Sequence, residues 1–241
     1  TGLVTHAPLD SNLLSPLEAL PQLDLETLAC DLPTTFELVY GPTGRRIKLL
    51  ERAPELAFKD IPERFLGAQA AYFAPVIGEC PLELVSALPS PIKVAGLQGW
   101  LRRAEPDGQI VPITQFDINT IPTSLTAAVF SEEDHPHADE LARALSERIQ
   151  YVVLTRGAEG LTLYEQSSTT HRRALRVEAS DPTGAGDTLA AVLTTSLVHG
   201  LTIDAALERA VIAAALVVQG PELGKLESHG RALFDPQRLA G

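Results

Sequence analysis

The chain has 241 residues, 31 acidic and 19 basic side chains, a formal net charge of −12 and 45% hydrophobic residues. That length is enough to bury a substantial core, and the acidic balance with scattered Lys and Arg argues against nucleic acid or an anionic membrane as the partner. Cys30 and Cys80 have neither metal-ligand nor redox spacing and read as free thiols of a reducing, cytoplasmic compartment, and the longest apolar run, residues 210–218, is too short to span a bilayer.

The sequence begins at Thr1 and contains no methionine, so it is read as one domain over residues 1–241 that is incomplete at its amino end. Residues 3–5 suggest a strand and 15–20 a short helix. Residues 34–40 and 45–50 are β-rich runs about Gly41-Pro42-Thr43-Gly44, which predicts a β-hairpin over 34–50. Helical segments are then expected at 61–69, 82–88 and 138–149. Short apolar strands are expected at 70–74, 92–96, 125–130 and 151–155. This alternation predicts an α/β fold with a mostly parallel central sheet flanked by helices. Residues 161–165 and 171–177 read as an antiparallel pair. Two further helices follow, one from Thr188 to a stop at Gly200 and one over 203–219.

Between those last strands and helices lies Asp181-Pro182-Thr183-Gly184-Ala185-Gly186-Asp187. Pro182 and the two glycines make a turn that runs into a helix, so Gly184, Ala185 and Gly186 stand where backbone amides lack intrahelical partners and the macrodipole is positive. Small residues there let an anion approach the backbone, which makes a phosphate cradle. Asp187 is a poor phosphate ligand and suits a hydroxyl reactant. An anion hole beside a carboxylate is what phosphoryl transfer to an alcohol requires. A dinucleotide fingerprint is excluded, because Leu189 stands at its third glycine and Asp204 begins a helix instead of ending a strand.

The same residues resemble the carboxy-terminal signature of the ribokinase-like (PfkB) carbohydrate kinases. The resemblance implies a ribokinase-like fold with a small β lid, of which the 34–50 hairpin would be a part. It also implies ATP as donor, Mg²⁺, a small sugar-like acceptor and a homodimer formed through the lid. Asp187 would be the base, with the amides of 184–186 as anion hole and Thr183 beside the nucleotide. The strand 151–155 ends in Thr155-Arg156-Gly157-Ala158-Glu159-Gly160, similar to the family's nucleotide loop, with Thr155, Arg156, Gly157 and Gly160 as contacts. After residue 130 the family has Asn-x-x-Glu near the metal. Ser131 and Asp134 stand at those positions, and both also suit a helix cap. Gln98 and Trp100 replace an Asp and an Asn of relatives, and Arg102 remains. Val211 stands where relatives place an Asn near adenine. His135 and His137 read as solvated. The family's sugar-binding motifs find no match, so the acceptor is open. The alternatives are a non-catalytic sugar or nucleotide sensor on a kinase fold and a nucleoside kinase.

Overall fold

The computed structural model describes residues 1–41, 44–178 and 181–220. In chain order these form β1 (Gly2–Ala7), α1 (Ser15–Glu18), β2 (Asp24–Ala29), β3 (Thr35–Gly41), β4 (Gly44–Glu51) and β5 (Ala70–Phe73). There follow α2 (Glu83–Ala87), β6 (Ile92–Gly96), β7 (Arg102–Ala104), β8 (Ile110–Pro112), β9 (Ala127–Ser131) and α3 (Ala138–Ser146). The carboxy-terminal part supplies β10 (Tyr151–Thr155), β11 (Leu161–Glu165), β12 (Ser168–Arg172), α4 (Ala185–Val198) and α5 (Ile203–Val217). The chain divides into two compact units, one of residues 1–68, 75–90 and 98–122, the other of 69–74, 91–97 and 123–241.

The second unit is built on a six-stranded sheet in the order β12-β11-β10-β9-β6-β5. Strands β5, β6, β9 and β10 run parallel, and β11 and β12 close the sheet as an antiparallel pair. Successive side chains of a strand point to opposite faces. Here Val129 and Val153 on one face and Ala128, Val152 and Leu154 on the other are all buried, as expected of a parallel sheet covered on both sides. Helices α4 and α5 cover one face, where Leu189, Ala190, Leu193, Ala206, Leu207 and Ala210 pack with Val94, Val129, Val153, Leu161 and Leu163. Alanine on α5 keeps the two helices close, and the Thr202 hydroxyl caps α5 by accepting from the Ala205 amide at 3.3 Å. Helix α3 packs on β10 and β11 through buried Leu141, Ala142 and Leu145.

The first unit is richer in hairpins. β1 and β2 pair in parallel, β3 with β4 and β7 with β8 antiparallel. The two hairpins join where the Leu49 amide donates to the Gly108 carbonyl at 2.8 Å. Gly108, at φ 86°, permits that turn, since a Cβ there would lie 2.6 Å from the Leu49 carbonyl oxygen. Trp100 is buried and its indole N–H donates to the Cys80 carbonyl at 2.6 Å.

The expected strands 92–96, 151–155 and 161–165 coincide with β6, β10 and β11. The helix expected at 61–69 is absent: Phe58–Asp60 and Glu63–Phe65 form two short 3₁₀ turns. Pro62 separates them, and the Asp60 carboxylate accepts from the Ala57 amide at 2.8 Å, closing the first turn locally. The partner of β11 begins at Ser168, not at 171, because a tight turn after Glu165 starts the pairing at once. Strands β2, β7 and β8 were not expected, and residues 42–43 of the expected turn lie outside the described residues.

Candidate active site

Parallel strands present their carboxyl ends to ligands, and the second unit gathers its chemically distinctive residues at that edge. Ser131 and Thr155 are register partners at the ends of β9 and β10. Tyr72 on β5 stands beside Gly96, the last residue of β6, where a Cβ would come within 3.4 Å of the phenol oxygen. Tyr72 in turn meets Asp187 in the first turn of α4.

The loop into α4 is fixed by short hydrogen bonds. The Asp181 carboxylate accepts from the Thr183 amide at 2.9 Å, an Asx turn, and the Asp181 amide donates to the Val218 carbonyl at 3.2 Å. Gly184 takes the left-handed conformation, φ 79°, at the cap of α4. The Ala185 amide donates to the Pro182 carbonyl at 3.3 Å, and the Thr188 amide to the Gly184 carbonyl at 2.9 Å. The amides of Gly184, Gly186 and Asp187 have no acceptor among the described residues. The donors left open therefore differ by one from those expected: Ala185 is engaged in the turn and Asp187 supplies its own N–H. A Cβ at Gly184 or Gly186 would meet nothing within 4 Å, so no described group fills the place of a side chain at either glycine. Of these two, Gly184 alone has positive φ. Gly186 is helical, and its lack of a side chain answers no packing demand of the described chain.

The Asp187 side chain is exposed, and the Tyr72 hydroxyl donates to its Oδ1 at 3.4 Å. Burial first, then the neighbouring Asp187 charge, pushes the Tyr72 phenol well above its ordinary range, so the hydroxyl keeps its proton and donates the hydrogen bond. Sequence reasoning placed Tyr72 only in a buried strand. The signal was the strand's alternation, which puts Tyr72 level with Val94 on the face that α4 covers.

At the end of β10 the Thr155 hydroxyl donates to the Phe130 carbonyl at 3.4 Å. Gly157, φ 51°, has open space at its Cβ position. Gly160 has a structural duty, since at φ 110° its Cβ would fall 2.0 Å from the Arg172 carbonyl oxygen. Arg156 is tied into the fold: its guanidinium reaches Glu132 at 3.1 Å, Asp139 at 2.5 Å and the Thr162 hydroxyl at 3.0 Å, and its side chain is 16% exposed. Two carboxylates already balance the charge expected to face a phosphate. Arg156, then the Tyr164 hydroxyl, holds the Asp139 carboxyl below the usual carboxylate range.

Ser131 and Asp134 form a reciprocal cap. The Ser131 amide donates to Asp134 Oδ2 at 2.8 Å and the Glu133 amide to Ser131 Oγ at 3.2 Å. These hard oxygen donors suit Mg²⁺ held through water, with few direct carboxylates. Among the described residues no three His, Cys, Asp or Glu side chains converge as a direct metal cage. His135 departs from expectation: it is buried, and its Nδ1 accepts from the His137 amide at 3.1 Å. His137 is exposed and pairs with Glu140 at 3.2 Å. Val211 packs against the core of α4 and α5. In the first unit, Arg102 donates to the Val76 carbonyl at 2.6 Å and lies over the Phe36 ring.

Comparison with known proteins bears on this arrangement. Residues 112–228 match the sequence model of the pfkB family carbohydrate kinases. The chain is 38% identical over 89 residues to the bifunctional protein HldE of Methylobacillus flagellatus, covering 34% of this chain and 18% of that protein. It is 29% identical to HldE of Aeromonas salmonicida, covering 88% of this chain and 46% of that protein. The chain thus spans less than half the length of these curated relatives. Among solved structures, a pyrophosphate-dependent kinase of the ribokinase family in complex with sulfate superposes with a TM-score of 0.81 at 19% identity, over 94% of this chain and 85% of that one. Ribokinase of Arabidopsis thaliana, complexed with ribose and ATP, superposes at 0.67 and 16% identity, over 97% of this chain and 82% of that one. The fold is therefore ribokinase-like. No helix among the described residues is long and apolar enough to cross a membrane.

Proposed function

We propose that this chain is a carbohydrate kinase of the pfkB family, whose sequence model matches residues 112–228, and that it transfers a terminal phosphoryl group from ATP to a hydroxyl of a small sugar-like molecule. The observation that carries this reading is the exposed Asp187 carboxylate standing one residue beyond a glycine-flanked helix start with open amides. In the transfer, the acceptor hydroxyl gives its proton to Asp187 as its oxygen bonds to phosphorus. The phosphorus–oxygen bond to the leaving diphosphate breaks, and the electron pair stays on the diphosphate. The transition state is loose, so alignment and charge stabilisation matter more than basicity. The amides of Gly184, Gly186 and Asp187 would hold the equatorial oxygens, an effect of a kind that contributes about 10²–10³ in rate per donor. Thr155, Gly157 and Thr183 would line the donor. Mg²⁺, held through water near Asp134, would supply neutralisation of the donor's phosphates.

Pyrophosphate is the second reading for the donor. Val211 is apolar and packs, partly buried, against the core, so α5 offers no side-chain amide to an adenine there. Solved relatives of this fold include kinases described as pyrophosphate-dependent and bound to myo-inositol. A homodimer through the β3–β4 hairpin belongs to the same proposal, resting on Leu38, Val39 and Leu50, which are 45%, 40% and 51% exposed.

The test is phosphate transfer from ATP, other nucleoside triphosphates and pyrophosphate to a panel of sugars, polyols and nucleosides, with Asp187→Asn as control. Transfer that falls about 10²–10⁴-fold in the variant supports the reading. Ligand binding without transfer from any donor would replace it with the sensor alternative.

A further inference from the structure

Asp187 carries one carboxylate on an exposed helix turn, and a carboxylate that is to accept a hydroxyl proton must present one oxygen in a fixed direction. Nothing in α4 itself supplies that direction. Every other side chain of Ala185–Val198 is apolar, a glycine, a serine or a threonine. The one described group in hydrogen-bonding range of the carboxylate comes from the sheet, the Tyr72 hydroxyl at 3.4 Å from Oδ1.

Tyr72 is itself well fixed. It lies on β5 opposite Val94 and packs against the core formed with α4. Its hydroxyl lies beside Gly96, at ordinary contact distance (3.4 Å) from where a Cβ would stand. The hydroxyl is a donor and stays protonated, for burial and the Asp187 charge both oppose its ionisation. Other titratable groups on elements packed against α4 are Lys93 on β6 and Asp204, Glu208 and Arg209 on α5, with Asp181 in the loop. Lys93 alternates to the sheet face opposite Tyr72 and Val94. Asp204 is paired with Arg172, and Asp181 holds the Thr183 amide.

We infer that Tyr72 is a positioning residue for the phosphoryl-transfer step: its hydroxyl engages Oδ1 of Asp187 and so turns Oδ2 toward the acceptor hydroxyl. The inference rests on the kinase reading above, with Asp187 as base. It assigns a task to the sheet edge. β5 sets the direction of a carboxylate whose height is set by α4.

Two measurements test it. The first needs no activity. In protein labelled at the tyrosine Cζ carbon, the resonance lost in Tyr72→Phe identifies Tyr72, and that resonance should move in Asp187→Asn while those of Tyr151 and Tyr164 stay in place. A Tyr72 resonance indifferent to Asp187→Asn overturns the pairing, whatever the activity of the protein. The second is a kinetic cycle. Tyr72→Phe should lower kcat about tenfold, the scale of one hydrogen bond to a charged group, with KM for acceptor and donor nearly unchanged. In an Asp187→Asn background the same change should cost nothing further. Equal losses in both backgrounds, or a loss confined to KM, would mean that Tyr72 acts through packing or binding and would overturn the assignment. Wild-type protein that transfers phosphate from no donor sinks the kinase reading instead, and the positioning role with it.

Discussion

At the scale of single residues, the two glycines before Asp187 do different work and should fail differently. Gly184 sits at φ 79° on the cap of α4, a conformation that costs a non-glycine residue about 1 kcal/mol or more. Gly186 is helical with empty space about its Cβ position. Alanine is favoured over glycine inside a helix by about 1 kcal/mol. Gly184→Ala should therefore lower the melting temperature, and Gly186→Ala should leave it unchanged or raise it. Both should impair phosphate transfer, since a methyl at either place stands before an open amide. Thermal melts beside initial rates decide this. Gly186→Ala with full activity would mean that the transferring phosphate does not approach there. The sequence alone could not separate the two, because a G-x-G string does not say which glycine is left-handed.

At the scale of elements, the turn after β9 joins a structural role to the proposed metal role, and the two can be separated. Asp134→Ala removes the acceptor for the Ser131 amide, a cap worth about 1 kcal/mol. If Asp134 also attracts hydrated Mg²⁺, the variant should need more magnesium for half-maximal rate at fixed ionic strength. Glu133→Ala should change neither quantity. A stability loss with an unchanged magnesium titration would leave Asp134 as a cap alone. The neighbouring network gives a pH prediction. Asp139 is held below the usual range chiefly by Arg156, so its folded pKa lies below its unfolded one. The stability it adds is complete above about pH 4, the unfolded carboxylate value, and is lost as pH falls through the lower folded value. Asp139 is largely exposed, which keeps the effect small. Urea melts should show Asp139→Asn less stable than wild type at neutral pH and the difference closing in acid. A gap that stays constant would assign the loss to Tyr164 packing. This network was not legible in the sequence: Glu132, Asp139, Arg156 and Tyr164 come from four separate segments, and only the pairing of β9, β10 and β11 assembles them. The strands themselves were legible, since β6, β10 and β11 are short apolar runs bounded by turn residues. The region around Pro62 was not, because its apolar spacing mimics a helix that local 3₁₀ turns replace.

At the scale of the whole molecule, the chain passes between its two compact units at 68/69, 74/75, 90/91, 97/98 and 122/123. The second unit is thus not a continuous stretch, although the signature loop, the nucleotide-like loop and residues 112–228 of the family match all suggest one. β5 and β6 arrive in two short insertions, and β6 is an interior strand between β9 and β5. A fragment of residues 123–220 would lose Val94 from the core and the packing of Tyr72 and Ile92 upon it. Fully burying a side chain such as Val94 contributes about 1.5–3 kcal/mol, and with the partial burial of Tyr72 and Ile92 the loss is a large part of the stability of an ordinary domain. The fragment would also expose the edge of β9, where the Val129 carbonyl now accepts from the Leu97 amide at 2.8 Å, and an uncovered apolar edge invites association. The 123–220 fragment should therefore lack fixed tertiary structure, seen as weak near-ultraviolet circular dichroism and a non-cooperative melt, while the full chain melts cooperatively. Restoring residues 69–122 in one piece should restore the cooperative transition more fully than lengthening the fragment at its carboxyl end. A fragment of 123–220 that melts cooperatively at the temperature of the full chain would show that β5 and β6 are ornaments on a sheet complete without them, and Tyr72 would then be placed too loosely to direct Asp187.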